Sequence, residues 1–141
     1  MNYKRKRTPA NPNPRSSMQA FHFLRSLSLI NLRTATFHKR CRAIRRAAYA
    51  SMASSTKPDR AWRHAVLSRL RRKARPVRVR VKARRRKAHH DDALRRILPG
   101  GEAMDSSRLL EETIDYVQRL RAQVKLMQEI VDSVKKKESE E

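Results

Sequence analysis

The stretch ILPGGEAMDSSRLLEETIDYVQRLRAQVKLM, residues 97–127, decides how this chain is read. Its first residues close a helix, because Pro99 cannot extend one and Gly100-Gly101 supplies a left-handed turn. Asp105 or Ser106 then caps a second helix, and Glu111 and Glu112 suit its positive end. Apolar residues recur along that helix at Leu110, Ile114, Val117, Leu120, Val124, Met127, Val131 and Val134. From Leu120 onward the steps alternate strictly between four and three residues, the spacing of a short coiled-coil seam. Leu109 widens the upstream part into the broader face of a bundle helix. The helix is expected to end near residue 134, roughly 45 Å from its start at about 1.5 Å per residue.

The preceding helix is expected from about Arg84 to Leu98. It offers Leu94, Ile97 and Leu98, with Ala88 and Ala93, to a core. That is too little to cover so long a seam, so a second chain is expected to cover it, the alternative being an ordinary amphipathic helix of a monomer. Upstream again lies RVRVKARRRK, residues 78–87. Pro76 interrupts any helix there, and Val77, Val79 and Val81 alternate with Arg78, Arg80 and Lys82, which favours extended chain.

The net charge of +23 is unevenly held. Residues 1–87 carry 27 lysines and arginines against the single acid Asp59, a net +26, whereas residues 88–141 carry 9 against 12, a net −3. A basic arm is thus joined to a near-balanced helical module. The arm attracts polyanions regardless of sequence, and it repels itself. Aromatics at 5% argue against a large core. The chain has only two glycines, too few for phosphate-binding Gly-rich loops, and Cys41 alone permits neither an internal disulfide nor a cysteine zinc site. No stretch approaches the ~18 apolar residues of a membrane helix. The acid-free, Arg- and Ser-rich first 58 residues suit a transit peptide or a nuclear basic arm. The clusters Lys4-Arg5-Lys6-Arg7 and Arg84-Arg85-Arg86-Lys87 resemble nuclear-import signals, the alternative being a solvated charge run.

Residues 1–16, with Pro9, Pro12 and Pro14, are expected to be a disordered basic tail. Residues 17–75 form a basic helical region with three candidate helices. The first holds Phe21, Phe23, Leu24, Leu27 and Ile30. The second opens at Thr36, sets Phe37, Cys41, Ile44, Ala48 and Met52 on one face with Cys41 as a small core residue, and ends at Ser54, Ser55 and Thr56. The third takes Asp59 as N-cap and carries Trp62, Ala65, Val66 and Leu70. Whether these helices pack as a hairpin or fold only on a partner stays open. Tyr49 and Trp62 are expected to pack between them rather than to stack on nucleic acid. The remaining divisions are a degenerate basic region over 76–87, a helix-loop-helix dimerisation module over 88–134 and a charged tail over 135–141.

The run Ala93-Leu94-Arg95-Arg96-Ile97-Leu98-Pro99-Gly100-Gly101, then Met104-Asp105, Leu109 to Val117, Leu120 and Gln123-Val124 resembles the plant basic helix-loop-helix family. The upstream segment IRRAAYASMA, residues 44–53, with Ala61-Trp62, resembles its atypical, growth-repressing IBH-like subgroup. The resemblance implies an all-α fold, a parallel four-helix bundle built by two chains. It also implies a nuclear regulator that pairs with other helix-loop-helix proteins and restrains cell elongation in plant growth (brassinosteroid) signalling. Dimerisation would fall to Leu94, Ile97, Leu98, Leu109, Leu110, Ile114, Val117, Leu120, Val124 and Met127.

The departures from the DNA-reading members decide the expected mechanism. Their His, Glu and Arg fall here on Pro76, Arg80 and Val81. Arg80 only donates hydrogen bonds and cannot accept from base amino groups as a Glu does. Pro76 breaks the helix that must lie in the groove. Two phosphate-touching lysines of the family fall on Ala103 and Ser106, with Glu102 beside them. Sequence-specific E-box binding is therefore not expected, whereas non-specific nucleic-acid binding through the arm is. Lys87 and Asp91 stand where the family usually has large apolar residues. Two Asp91 carboxylates brought together in a homodimer would favour heterodimers, the alternative being that Asp91 bends toward solvent at a frayed helix start. Nothing orients a catalytic group. Glu111, Glu112 and Asp115 lie on what is read as the exposed side of the second helix, and His89-His90-Asp91-Asp92 converge poorly on one ion. No enzyme, cofactor, metal, small-molecule substrate or membrane role is expected. The competing function is a general nucleic-acid-binding protein that self-associates through its C-terminal helices.

Overall fold

The structure is a computed structural model that describes residues 14–33, 36–72 and 90–140. Within them the chain is all-α: α1 (Pro14–Arg33), α2 (Phe37–Ser54), α3 (Ala61–Arg71), α4 (His90–Ile97) and α5 (Ser106–Glu140), with a short 3-10 turn at Gly101–Ala103. The fold is a helix-loop-helix, α4 to α5, with three further helices packed on it. The tail over 1–13, the degenerate positions Pro76, Arg80 and Val81, Lys87, His89 and the expected helix start near Arg84 lie outside the described residues.

The loop closes as its sequence requires. Leu98 N–H donates to Leu94 O at 2.9 Å and Gly101 N–H to Leu98 O at 3.0 Å, while Gly100 takes φ 81°, a conformation that an L side chain adopts only with strain. A Cβ on Gly100 would also stand 3.1 Å from Ala65 Cβ of α3. Arg95 donates to the loop carbonyls of Gly101, at 3.2 Å, and Met104. Asp105 caps α5, its Oδ2 accepting from Arg108 N–H at 3.2 Å. Past residue 134 the helix does not stop. The residues expected to form a charged tail continue α5 to Glu140, a 35-residue helix of roughly 52 Å. The last turns are held by exposed i,i+4 pairs, Gln128 to Asp132 and Lys136 to Glu140.

The N-terminal half is a built part of the same core. α1 and α2 lie along each other, and α1, α2 and α3 all reach α5. One cluster joins Met52 and Ala53 of α2, Trp62 and Val66 of α3, Leu98, and Leu109 and Tyr116 of α5. A second joins Phe23 of α1 with Ala47 and Ala48 of α2, against partly buried Leu126, Met127 and Ile130 of α5. Of the two alternatives left open for the N-terminal helices, α1 and α2 pack as a hairpin within the chain, and α1 starts at Pro14, inside the segment expected to be a disordered tail. In α2 the expected face is buried only towards its C-terminus. Met52 and Ala48 are in the core, but Phe37 and Cys41 are exposed, because the core narrows before it reaches the start of α2.

The face of α5 that receives these helices is largely polar. Its buried residues are Leu109, Glu112, Tyr116, Arg119 and Gln123. Glu112, expected on an exposed side, is only 3% accessible. Its two carboxylate oxygens accept from the backbone N–H groups of Ala61 and Trp62, each at 3.2 Å. These are orphan donors of the first turn of α3, and a carboxylate there meets the positive end of the helix dipole. Asp59 is therefore not the cap. The helix starts at Ala61 after Arg60, which caps without its side chain, and the capping group comes from α5. Arg60 donates to Glu111 at 2.8 Å and sits 3.9 Å from Glu112 and 4.0 Å from Asp115. Burial opposes its charge, but the Glu111 bond and the Asp115 and Glu112 carboxylates outweigh that and raise its pKa. Trp62 Nε1–H donates to Asp115 at 2.9 Å, and its ring packs on Tyr116 with centroids 5.1 Å apart. Further along, Gln19 Nε2 donates to Arg119 O and to Gln123 Oε1, both at 3.1 Å, and Ser51 Oγ donates to Gln123 Oε1 at 3.2 Å.

Glu112→Ala should cost about 1–3 kcal/mol, since it leaves the buried N–H of Trp62 and the part-buried N–H of Ala61 without their acceptor. Glu111→Ala, at an exposed carboxylate, should change stability by less than about 1 kcal/mol. Urea unfolding followed by circular dichroism checks both, and equal effects would contradict the capping role.

Candidate dimerisation surface

With the polar line of α5 turned inwards, its apolar seam faces outwards. Successive helical residues point about 100° apart, so Leu110 lies beside Leu109 yet on a different face. Leu109 is fully buried, while Leu110 is 52% exposed, Ile114 59% and Val124 65%. Val131 and Val134 are exposed as well. Val117 and Leu120 are half-buried, and with Val124 they floor a shallow apolar groove edged by Arg121, Lys125, Gln128 and Glu129. A row of large apolar side chains bounded by charged and polar ones is the surface expected of a helix that pairs with another.

The ten residues read as dimerisation positions divide between two places. Leu98 and Leu109 are buried in the chain's own core, with Leu94 and Leu120 packed on its edge and Met127 on the second cluster. Ile97, at 64% exposure, stands outside with Leu110, Ile114 and Val124, and Val117 lies between the two groups. α4 therefore turns Leu94 and Leu98 towards its own chain and leaves Ile97 as the large apolar residue it offers outwards. Near Ile97 a hollow lined by Tyr49, Leu70, Arg69 and Tyr116 joins α2 and α3 to the head of the module. Trp62 thus packs within the protein, as the sequence suggested, whereas Tyr49, expected to do the same, is exposed at the rim of that hollow.

Asp91 does not hang over the seam unpartnered. Its carboxylate accepts from Ser106 Oγ and lies 3.9 Å from Arg95 Nη2, tying the start of α4 to the start of α5. Ser106, where the family has a phosphate-touching lysine, is thereby a link between the two helices, and Ala103 is exposed on the loop. The sequence reading missed the back face of α5, because a search for apolar periodicity passes over Glu112, Arg119 and Gln123. Their spacing, and the concentration of acids at Glu111, Glu112 and Asp115 opposite a cationic N-terminal half, was the available signal.

The phenol of Tyr116 is raised above its ordinary pKa chiefly by burial and secondarily by Tyr49, against the opposing pull of Arg69. A raised folded value means that this residue's contribution to stability is whole below about pH 10 and is lost as pH climbs through the folded pKa. Absorbance titration of the tyrosinate band should show a late step that Tyr116→Phe removes. The two sides of α5 should also separate in mutagenesis. Leu109→Ala should cost about 2–5 kcal/mol, and Leu110→Ala less than about 1 kcal/mol in dilute protein, read from unfolding midpoints.

The chain is 40% identical to transcription factor IBH1 of rice, in both Oryza sativa subsp. indica and subsp. japonica, over 82% of its own length and 77% of theirs. A 54-residue stretch is 43% identical to transcription factor IBH1-like 1 of Arabidopsis thaliana, covering 38% of this chain and 30% of that protein. No family model matches the chain, and no solved structure does.

Proposed function

The chain belongs to the IBH1 family of transcription factors, and on that premise we propose that this transcriptional regulator acts by occupying other helix-loop-helix proteins. The observation that carries the proposal is the exposed to half-buried apolar row Ile97, Leu110, Ile114, Val117 and Val124, on a module whose opposite face is already packed against the N-terminal helices. A second helix-loop-helix laid parallel to it would complete a four-helix bundle and cover that row. The ten positions read from the sequence would then divide their labour. Leu94, Leu98, Leu109, Leu120 and Met127 support the surface from behind, and Ile97, Leu110, Ile114, Val117 and Val124 meet the partner.

Heterodimers are favoured over homodimers because α4 presents so little. Two copies would each offer Ile97 alone as a large apolar α4 side chain, whereas a partner with a full first helix supplies the missing apolar surface. The Asp91 carboxylates, though held by Arg95 and Ser106, still stand in a bundle position where an apolar residue packs better. A mixed dimer has at most one basic helix able to read DNA, since Pro76, Arg80 and Val81 replace the reading groups in this chain. Such a dimer reads only one half-site, so the regulator represses its partner. The setting is nuclear, and the output is restraint of cell elongation in plant growth signalling. No small molecule, cofactor or metal has a part in this mechanism, and no helix among the described residues is long and apolar enough to cross a membrane.

Val117→Asp places a charge in the middle of the row without touching the back face of α5. It should abolish capture of helix-loop-helix proteins from plant nuclear extract while leaving the far-ultraviolet helical signal intact. Wild-type protein should weaken the E-box gel shift of a DNA-reading helix-loop-helix protein, and Val117→Asp should not. Equal capture by both forms, or a preference of the wild-type chain alone for the E-box over a scrambled duplex at physiological salt, would overturn the proposal.

A further inference from the structure

On the side of α3 away from α5, Arg63, His64, Leu67, Ser68, Arg71 and Arg72 line one hollow. It contains no acidic residue, and among the described residues Arg63, Arg71 and Arg72 enter no ion pair. Two of its walls are fixed in place. Arg63 Nε–H donates to Ala53 O at 3.0 Å, which leaves the terminal nitrogens of its guanidinium free of that bond and directed by it. His64 Nε2 lies 2.7 Å from Pro58 O, a contact that places the proton on Nε2 and leaves Nδ1 for another partner. The backbone amide of Arg72 bonds to Ser68 O, so the last turn of α3 that carries Arg71 and Arg72 is ordered.

A structural role for these arginines is to complement the negative C-terminal end of α3, worth about 0.3–1 kcal/mol for a charge near a helix end. One arginine serves that purpose, and Arg69 in the same turn is available for it. Three guanidiniums around one hollow exceed the requirement. Arginine presents a planar fork of donors that fits phosphate oxygens two at a time. The chain continues directly from Arg72 into residues 73–87, which hold nine more lysines and arginines and no acid, so the positive potential extends along the sequence rather than ending at the hollow.

We propose that this α3 hollow is a phosphodiester-binding site that holds the backbone of duplex nucleic acid without reading its bases. It goes beyond the dimerisation reading and does not depend on it, because its residues lie on α3 and the seam lies on α5. It differs also from the degenerate basic region, since its residues lie on and just after α3, with Arg63 held in place by Ala53 O. The duplex backbone is favoured over an acidic polypeptide because the hollow sets several arginine forks beside a serine hydroxyl, and the sequence beyond Arg72 adds nine basic residues and no acid, a density of positive charge that suits closely spaced phosphates. A regulator carrying it remains associated with DNA at low salt while contributing nothing to the choice of sequence.

The test is fluorescence anisotropy of a labelled random-sequence duplex with the full chain, titrated at several salt concentrations. Arg71→Gln/Arg72→Gln, at two exposed residues, should reduce the slope of log affinity against log salt by about 2, at ~0.9 for each phosphate no longer neutralised, with unfolding midpoint unchanged. Val117→Asp should bind the duplex like the wild type, so that failure of the dimerisation reading and failure of this site are told apart. An unaltered slope in the double variant, with binding abolished instead on neutralising residues 84–87, would place the phosphates outside α3 and overturn the proposal. So would displacement of the duplex by poly-glutamate at equal charge concentration, which would mark the hollow as a site for acidic protein.

Discussion

A buried carboxylate has to be answered by donors, and in this protein the answer to Glu112 organises everything else. A carboxylate withdrawn from water costs several kcal/mol unless it is paired and hydrogen-bonded. Glu112 finds two backbone N–H groups at the start of α3 and the guanidinium of Arg60. Those contacts fix both the position and the direction of α3 against α5. Once α3 is placed, Trp62 must lie on Tyr116 and Ala65 against Gly100, so the loop between α4 and α5 is pressed from behind. The helix-loop-helix is therefore shaped partly by a helix that precedes it by about twenty residues in sequence.

The same arrangement explains why a chain with so few aromatics folds at all. Its two apolar clusters are small, and each is joined to a polar contact line: Glu112, Asp115 and Arg60 beside the first, Gln19, Ser51 and Gln123 beside the second. Hydrogen bonds of this kind add little net stability but specify register strongly, because any slip leaves a buried group unpaired. The acids of α5 also accept part of the charge of the N-terminal half, through Arg60 just before α3.

What could be read from the sequence follows from which signals are periodic. Pro99-Gly100-Gly101 and the spacing from Leu110 to Val134 marked out the helix-loop-helix, because glycine geometry and apolar repetition are local properties. The stripe Trp62, Val66 and Leu70 was legible for the same reason. The end of α5 was placed too early, since the charged residues 135–140 offer no apolar signal while their i,i+4 pairs still favour helix. The burial of Glu112, Arg119 and Gln123, and the exposure of Phe37 and Cys41, depend on where other helices dock. No pattern within one helix contains that information. Of the candidate surface, the exposed residues of the row were readable, but not that Leu98 and Leu109 would be used by the chain itself.

A helix can serve two neighbours only if their contact lines lie on different sides of it. On α5 the line Leu109, Glu112, Tyr116, Arg119, Gln123 and the line Leu110, Ile114, Val117, Val124 are roughly a third of a turn apart, from about 100° per residue. That separation lets the N-terminal helices hold α5 without covering the row. It also sets a limit. The seam repeats about every 3.5 residues and the helix every ~3.6, so the seam drifts around α5 as it proceeds. By Met127 it has reached the side where α1 and α2 pack, and Met127 is accordingly half-buried there. Beyond Ile130 the packed helices end, and Val131 and Val134 stand free. Under the proposed pairing, a partner's helix following the same seam would run beside the α1–α2 hairpin at Met127, and side chains of the N-terminal half would then bear on which partners fit.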